Sequence, residues 1–227
     1  MKRLELSIEQ RAKAEFIQNS PYAKISTLLS NDIRSLTTAW CYYSGKIEGN
    51  TYTLAETEIL LTDNITSPKD YGDAKMLKNL QNAFVQELYY ISKQGNKEVI
   101  DLKTLLRLHQ VILRDLVNTS ESGVLRDRAV SIAGTSYLPV KTQQEIMFEL
   151  NKVFEEQYNY EDPIERSIYL HCNIARIQPF IDGNKRTSRL IESIALMNAD
   201  IIPVYSIDKQ DILAYKKALL YFYETVA

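Results

Sequence analysis

The feature that most constrains this chain is a proline-and-glycine break between two helix-forming segments. In Gln178-Pro179-Phe180-Ile181-Asp182-Gly183-Asn184-Lys185-Arg186-Thr187-Ser188-Arg189, Pro179 ends the helix before it, because its ring fixes φ and removes a backbone donor. Leu190, Ile191, Ile194, Ala195 and Met197 then carry a second helix directly after the loop. The loop therefore opens onto a helix N-terminus, whose free N–H groups face an anion. Gly183 permits backbone conformations closed to other residues, and Asp182 offers hard oxygen to a magnesium ion. Arg186 and Arg189, three apart on one helical face, can both fork onto phosphate oxygens. The segment reads as a triphosphate cradle. The alternative is a plain helix cap, with Asp182 or Asn184 satisfying backbone donors and the arginines solvated.

Helix punctuation recurs elsewhere. Asp32 is placed to cap a helix through Ile33, Leu36, Trp40, Tyr43 and Ile47, and Thr53-Leu54-Ala55-Glu56 forms a capping box. Asp162-Pro163-Ile164-Glu165 opens a third helix that runs to Pro179. Further helices are predicted over 74–93, 102–116 and 143–158, and from Asp208 into the C-terminal residues. Gly123-Val124-Leu125-Arg126 and the run from Val130 to Val140 alternate around a glycine turn, which reads as a β-hairpin. There is no internal repeat. A break falls at 68–73 or at Gly95-Asn96; the second divides the chain into an N-terminal helical region, 1–95, and a core, 96–227.

At 227 residues, 45% hydrophobic and 25% charged, the chain can bury a full core. Its net charge of −2 and pI of 5.8 argue against a general nucleic-acid binder, which needs a basic surface. Met1-Lys2-Arg3-Leu4-Glu5-Leu6 leads into polar residues without an apolar leader, and no run is long enough to span a bilayer. A cytoplasmic protein is expected. Cys41 and Cys172 lack CxxC spacing and read as buried thiols within helices, and His109 and His171 as packed helix residues.

The loop resembles the signature of Fic-domain proteins, HPFxDGNGRxxR, matching at Pro179, Phe180, Asp182, Gly183, Asn184, Arg186 and Arg189. A distant segment, Ser44-Gly45-Lys46-Ile47-Glu48-Gly49-Asn50, resembles the inhibitory motif (S/T)xxxE(G/N) that one class of Fic proteins carries on a helix upstream. The resemblance implies a mainly α Fido (Fic) fold, a helical bundle with a short β-hairpin flap. It implies a protein adenylyltransferase that moves AMP from ATP to a Ser, Thr or Tyr hydroxyl of a target protein clamped along the flap as an added strand. ATP, as substrate or ligand, and Mg2+ are the implied cofactors. Residue 178, Asn184 and Arg186 inherit catalytic roles; Gly183, Asn184, Lys185, Arg186 and Arg189 inherit ATP contacts; Asp182 inherits the metal. Glu48, with Ser44 and Asn50 in its motif, is implied to pair with Arg189 and obstruct the γ-phosphate. Neither nucleic acid nor membrane is an implied partner, and the oligomeric state stays open, a homodimer included.

Two departures bear on mechanism. The signature histidine is Gln178, and the second glycine is Lys185. A carboxamide has no titration near neutrality and cannot hold an abstracted proton. Loss of a general base costs about 10² to 10⁴ in rate, roughly 3 to 5 kcal/mol of barrier. Lys185 gives the NKR sequence of the related Doc toxins, which transfer the terminal phosphate of ATP. An impaired, autoinhibited adenylyltransferase homologue, a non-catalytic nucleotide- or protein-binding module and a Doc-like kinase are the three readings. Removal of AMP by a Glu48-activated water ranks behind them.

Overall fold

The computed structural model describes residues 5–225. Met1-Lys2-Arg3-Leu4, part of the stretch read for a leader, and the last two residues lie outside that range. The described residues contain α1 (Ile8–Asn19), α2 (Ser30–Ile47), α3 (Leu54–Asp63), α4 (Tyr71–Leu88), α5 (Leu102–Ile112), α6 (Gln143–Glu156), α7 (Pro163–Ile177), α8 (Asn184–Asn198) and α9 (Lys209–Glu224).

Local chemistry accounts for most helix ends. Thr53 and Glu56 form the expected capping box of α3, and Asp162 accepts from Ile164 and Glu165 N–H with Pro163 in the first turn of α7. Asp32 caps differently from the expectation. α2 begins three residues earlier, at Ser30, and the Asp32 carboxylate folds back to accept from Leu29 N–H at 2.9 Å. α5 stops at Ile112 rather than continuing to 116, because the chain turns through Asp115 at φ 59°. α1 had no counterpart among the expected helices. Its Ser7 and Gln10 cap each other, but Ala14 alone is buried while Ile8 and Phe16 lie exposed, so it carries no apolar stripe to read.

α7 and α8 pack along each other at the centre, with Leu170, Ile174, Ile177, Leu190, Ile191 and Ile194 buried. Full burial of one such side chain stabilises by about 1.5–3 kcal/mol relative to exposure. α2 lies against α4. Its Trp40 stacks on Phe84 of α4 at 4.7 Å and donates from Nε1 to Ser193 Oγ of α8 at 2.9 Å. That aromatic anchor and its hydrogen bond hold the end of α2 over the start of α8. The main hydrophobic cluster is continuous across the Gly95-Asn96 break, joining Trp40 and Leu80 to Leu105 and Leu190.

Residues 123–141 form no strand. The strand-like pairing found among the described residues is an isolated antiparallel bridge between Lys24 and Ile201. In place of a ladder, the buried Arg126 guanidinium gathers this segment by donating to Arg128 O at 2.7 Å and Val140 O at 2.5 Å. Cys41 is buried in α2 and Cys172 half-buried in α7, and neither is in a disulfide. No helix among the described residues is long and apolar enough to cross a membrane.

Candidate functional site

The turn between α7 and α8 is built from the backbone outward. Gln178 ends α7 in the left-handed conformation at φ 51°. Its Nε2 donates to Ala175 O at 2.5 Å, and its Oε1 accepts from Asn184 Nδ2 at 3.1 Å. Asn184 closes the loop by accepting from Phe180 N–H at Oδ1 and donating to Phe180 O from Nδ2, both at 2.8 Å. Gly183 sits at φ 76°, where a side chain is strained, and a Cβ there would lie 2.3 Å from Leu113 Cδ2, which would have to shift.

Two side chains from elsewhere fix this turn. His109 of α5 stacks on the buried Phe180 ring at 3.6 Å, and its Nδ1 accepts from Gly123 N–H at 2.8 Å. The proton is thereby placed on Nε2, which donates to Asp182 O at 3.0 Å. Burial pushes the imidazole down to about 4, so it is neutral near pH 7. Arg126 donates from Nε to Gln178 O at 2.6 Å, and its backbone N–H bonds Pro179 O at 3.0 Å. The 123–141 segment is thus tied to the loop at its base.

The loop's charges form two groups. Asp182 Oδ2 accepts from Arg186 Nη2 at 2.7 Å and its Oδ1 from Gly183 N–H at 2.5 Å. Burial pushes the Asp182 carboxyl up, but Arg186 outweighs it and holds the group below its ordinary value. More than half of its side chain stays exposed, leaving an ionised oxygen donor at the surface. The second group is deeper. Arg189, with no exposed side-chain surface, donates from Nη2 to Glu48 Oε1 at 3.0 Å and Ser44 O at 3.1 Å, and from Nη1 to Tyr215 Oη at 3.3 Å. Lys185 Nζ lies 3.3 Å from Glu48 Oε2. Burial raises the Glu48 carboxyl, yet Arg189, Lys185 and Arg186 together bring it below 4.5. Tyr215, on α9, also meets His171 Nε2 at 2.9 Å, so a buried polar chain backs the arginine.

The structure therefore joins Glu48 and Ser44 to Lys185 and Arg189, and joins Gln178, Asp182, Gly183, Asn184 and Arg186 around the loop. Asn50 points elsewhere: its Nδ2 donates to Asp73 O at 2.9 Å and its Oδ1 accepts from Tyr52 N–H at 3.0 Å, closing the turn that follows α2. Sequence reasoning missed Arg126 and Tyr215, which stand in no motif, and gave His109 only a packing role. Chemically the arrangement is one that can take an anion. No side chain caps the first turn of α8, and the buried Nε atoms of Arg186 and Arg189 have no hydrogen-bond partner.

A helical protein whose two central helices are joined by a tight loop, with an uncapped helix N-terminus and clustered cations beside it, is the class this geometry defines. Residues 99–196 match the model of the Fic/DOC family, and the chain belongs to that family. It is 32% identical over 171 residues to the protein adenylyltransferase Fic of Drosophila persimilis, an alignment covering 72% of this chain and 32% of that protein. Protein adenylyltransferase fic-1 of Caenorhabditis briggsae is 26% identical over 182 residues, covering 79% and 35%. The chain thus spans about a third of the length of the curated relatives it matches. A Fic family protein from Desulfovibrio desulfuricans G20 shares the fold, with a TM-score of 0.78, 18% identity, and coverage of 96% of this chain and 68% of that one.

Proposed function

We propose that this chain is a Fic-type protein adenylyltransferase homologue, held closed by Glu48 and impaired in transfer by Gln178. The observation that carries the reading is the 3.0 Å pair between Glu48 and Arg189, which joins the two motifs 141 residues apart. In this reading residues 1–95 supply the inhibitory helix and 96–227 the transfer core. ATP lies along the first turn of α8, with its phosphates on backbone N–H groups and on Arg186, Arg189 and Lys185. Asp182, whose carboxylate is more than half exposed, would hold a magnesium ion there, an ion bound by hard oxygen ligands. The magnesium would neutralise charge on the phosphates; Asn184 and Gly183 keep the loop in shape. The target protein lies along 123–141 as an added strand, that segment serving as the flap. A cytoplasmic setting belongs to the same reading.

Gln178 supports the impairment. Both ends of its carboxamide are engaged within the protein, by Ala175 O and by Asn184 Nδ2, and neither can take a proton from a hydroxyl. These bonds also favour a second reading, a non-catalytic nucleotide-binding module in which Gln178 serves as a helix cap. Intact-protein mass spectrometry after incubation with Mg-ATP separates the two. Glu48→Gly with Gln178→His is expected to gain an AMP adduct on itself or an added hydroxyl substrate, at about 10² to 10⁴ times the rate of Glu48→Gly alone. No adduct on either variant favours the binding module, and a phosphate adduct the Doc-like kinase.

A further inference from the structure

We propose that Lys185 is a partner-switching residue: it grips the Glu48 carboxylate while the cradle is closed, and grips the phosphate that replaces this carboxylate once the cradle is open. The inference rests on the reading of the cradle as a phosphate site and specifies how that site is regulated.

Glu48 is divided between two cations. Its Oε1 lies on Arg189 Nη2 at 3.0 Å and its Oε2 on Lys185 Nζ at 3.3 Å. Lys185 and Arg189 stand four residues apart on α8 and so share one face, across which the carboxylate lies. Two oxygens of one phosphate present the same two-point contact. Charge favours the exchange. One carboxylate between two cations leaves the group one positive charge in excess, whereas a phosphate group of charge about −1.5 to −2 neutralises it. The closed state therefore stands as a weaker imitation of the phosphate-bound state.

The two cations differ in freedom. Arg189 is fully buried and held by Ser44 O and Tyr215 Oη besides Glu48, so it stays in place when Glu48 leaves. Lys185 is 37% exposed on a flexible stem, and Glu48 is the ion-pair partner of its ammonium among the described residues. It can follow whichever anion occupies the site. A glycine at this position would leave Glu48 on Arg189 alone, which makes Lys185 a second arm of the closure peculiar to chains with a cation here.

The consequence depends on the background. While Glu48 is present, Lys185→Ala loosens the closed state and the phosphate-bound state together, so the two losses largely offset; once Glu48 is gone, only the phosphate contact is lost. The variant should weaken binding about 1.5- to 5-fold in the Glu48→Gly background, the range for a partly exposed ion pair, and by clearly less while Glu48 is present. The experiment is isothermal titration calorimetry of Mg-ATP and of inorganic pyrophosphate against the wild type, Lys185→Ala, Glu48→Gly and the double variant, with circular dichroism confirming that all four fold. The expected result is a weakening in the Glu48→Gly background that is clearly smaller while Glu48 is present. An equal weakening in both backgrounds, or no effect in the Glu48→Gly background, overturns the proposal while leaving the nucleotide reading intact. Absence of binding to all four folded proteins overturns the nucleotide reading itself, and this proposal with it.

Discussion

Replacing Arg126 with alanine removes the guanidinium that joins the 123–141 segment to the end of α7. The side chain is 2% exposed and makes three short bonds, to Gln178 O at 2.6 Å, Arg128 O at 2.7 Å and Val140 O at 2.5 Å. A longer one reaches Ile177 O at 3.4 Å. Hydrogen bonds from a charged donor are worth about 1.5–3 kcal/mol each, but bonds sharing one donor group are not additive. Water can also reach the carbonyls nearer the surface once the guanidinium is gone. The expected loss is about 3–5 kcal/mol, as for deletion of one partner from a buried polar group. At roughly 2–4 °C per kcal/mol for a chain of this length, Tm falls by about 6–20 °C. Differential scanning calorimetry measures this, and limited trypsin digestion reports release of the segment at Arg128 and Lys141. Lysine at 126 should recover less than half the loss, because a point charge cannot fork among three carbonyls. A loss below about 1 kcal/mol with unchanged digestion would refute the assignment of Arg126 as the tie between segment and loop.

Acid titration should reveal His109. Its unfolded imidazole takes a proton near 6.5 and the folded one near 4, so between those values the unfolded state binds more protons and stability falls as pH falls. The loss should reach about 3 kcal/mol across that window in urea denaturation at stepped pH, and His109→Gln should flatten the slope. An equal slope in the variant would assign the dependence to another group. Gly183→Ala meets both a positive φ and Leu113 Cδ2 at 2.3 Å. It should cost about 1–3 kcal/mol by chemical denaturation and disorder the cradle; a Tm within 1–2 °C of wild type would contradict the strain argument.

The helical architecture was legible because its signals are local. Pro163 after Asp162, the Thr53–Glu56 box and the apolar spacing after Gly183 each act within a few residues, and α3, α7 and α8 begin where they say. The turn between α7 and α8 was legible for the same reason, since seven signature residues lie within twelve positions. α1 was not, because it buries almost nothing, and the start of α2 shifted because Asp32 can serve a helix from its first turn as well as from its cap. In the 123–141 run alternation alone does not fix a ladder, which needs paired neighbours; the described residues there carry no strand, and Arg126 bonds the carbonyls of Arg128 and Val140. Arg126, His109 and Tyr215 act across 52, 73 and 26 residues, and no spacing rule reaches that far.

In the proposed reading, Glu48 closes a phosphate cradle whose binding groups are otherwise intact. Calorimetric titration of Mg-ATP into wild type and Glu48→Gly tests it most directly. Relief of the closure should tighten binding by about 5- to 150-fold, the range of couplings carried by such switches. Equal affinity in the two proteins, with both folded, would contradict the claim.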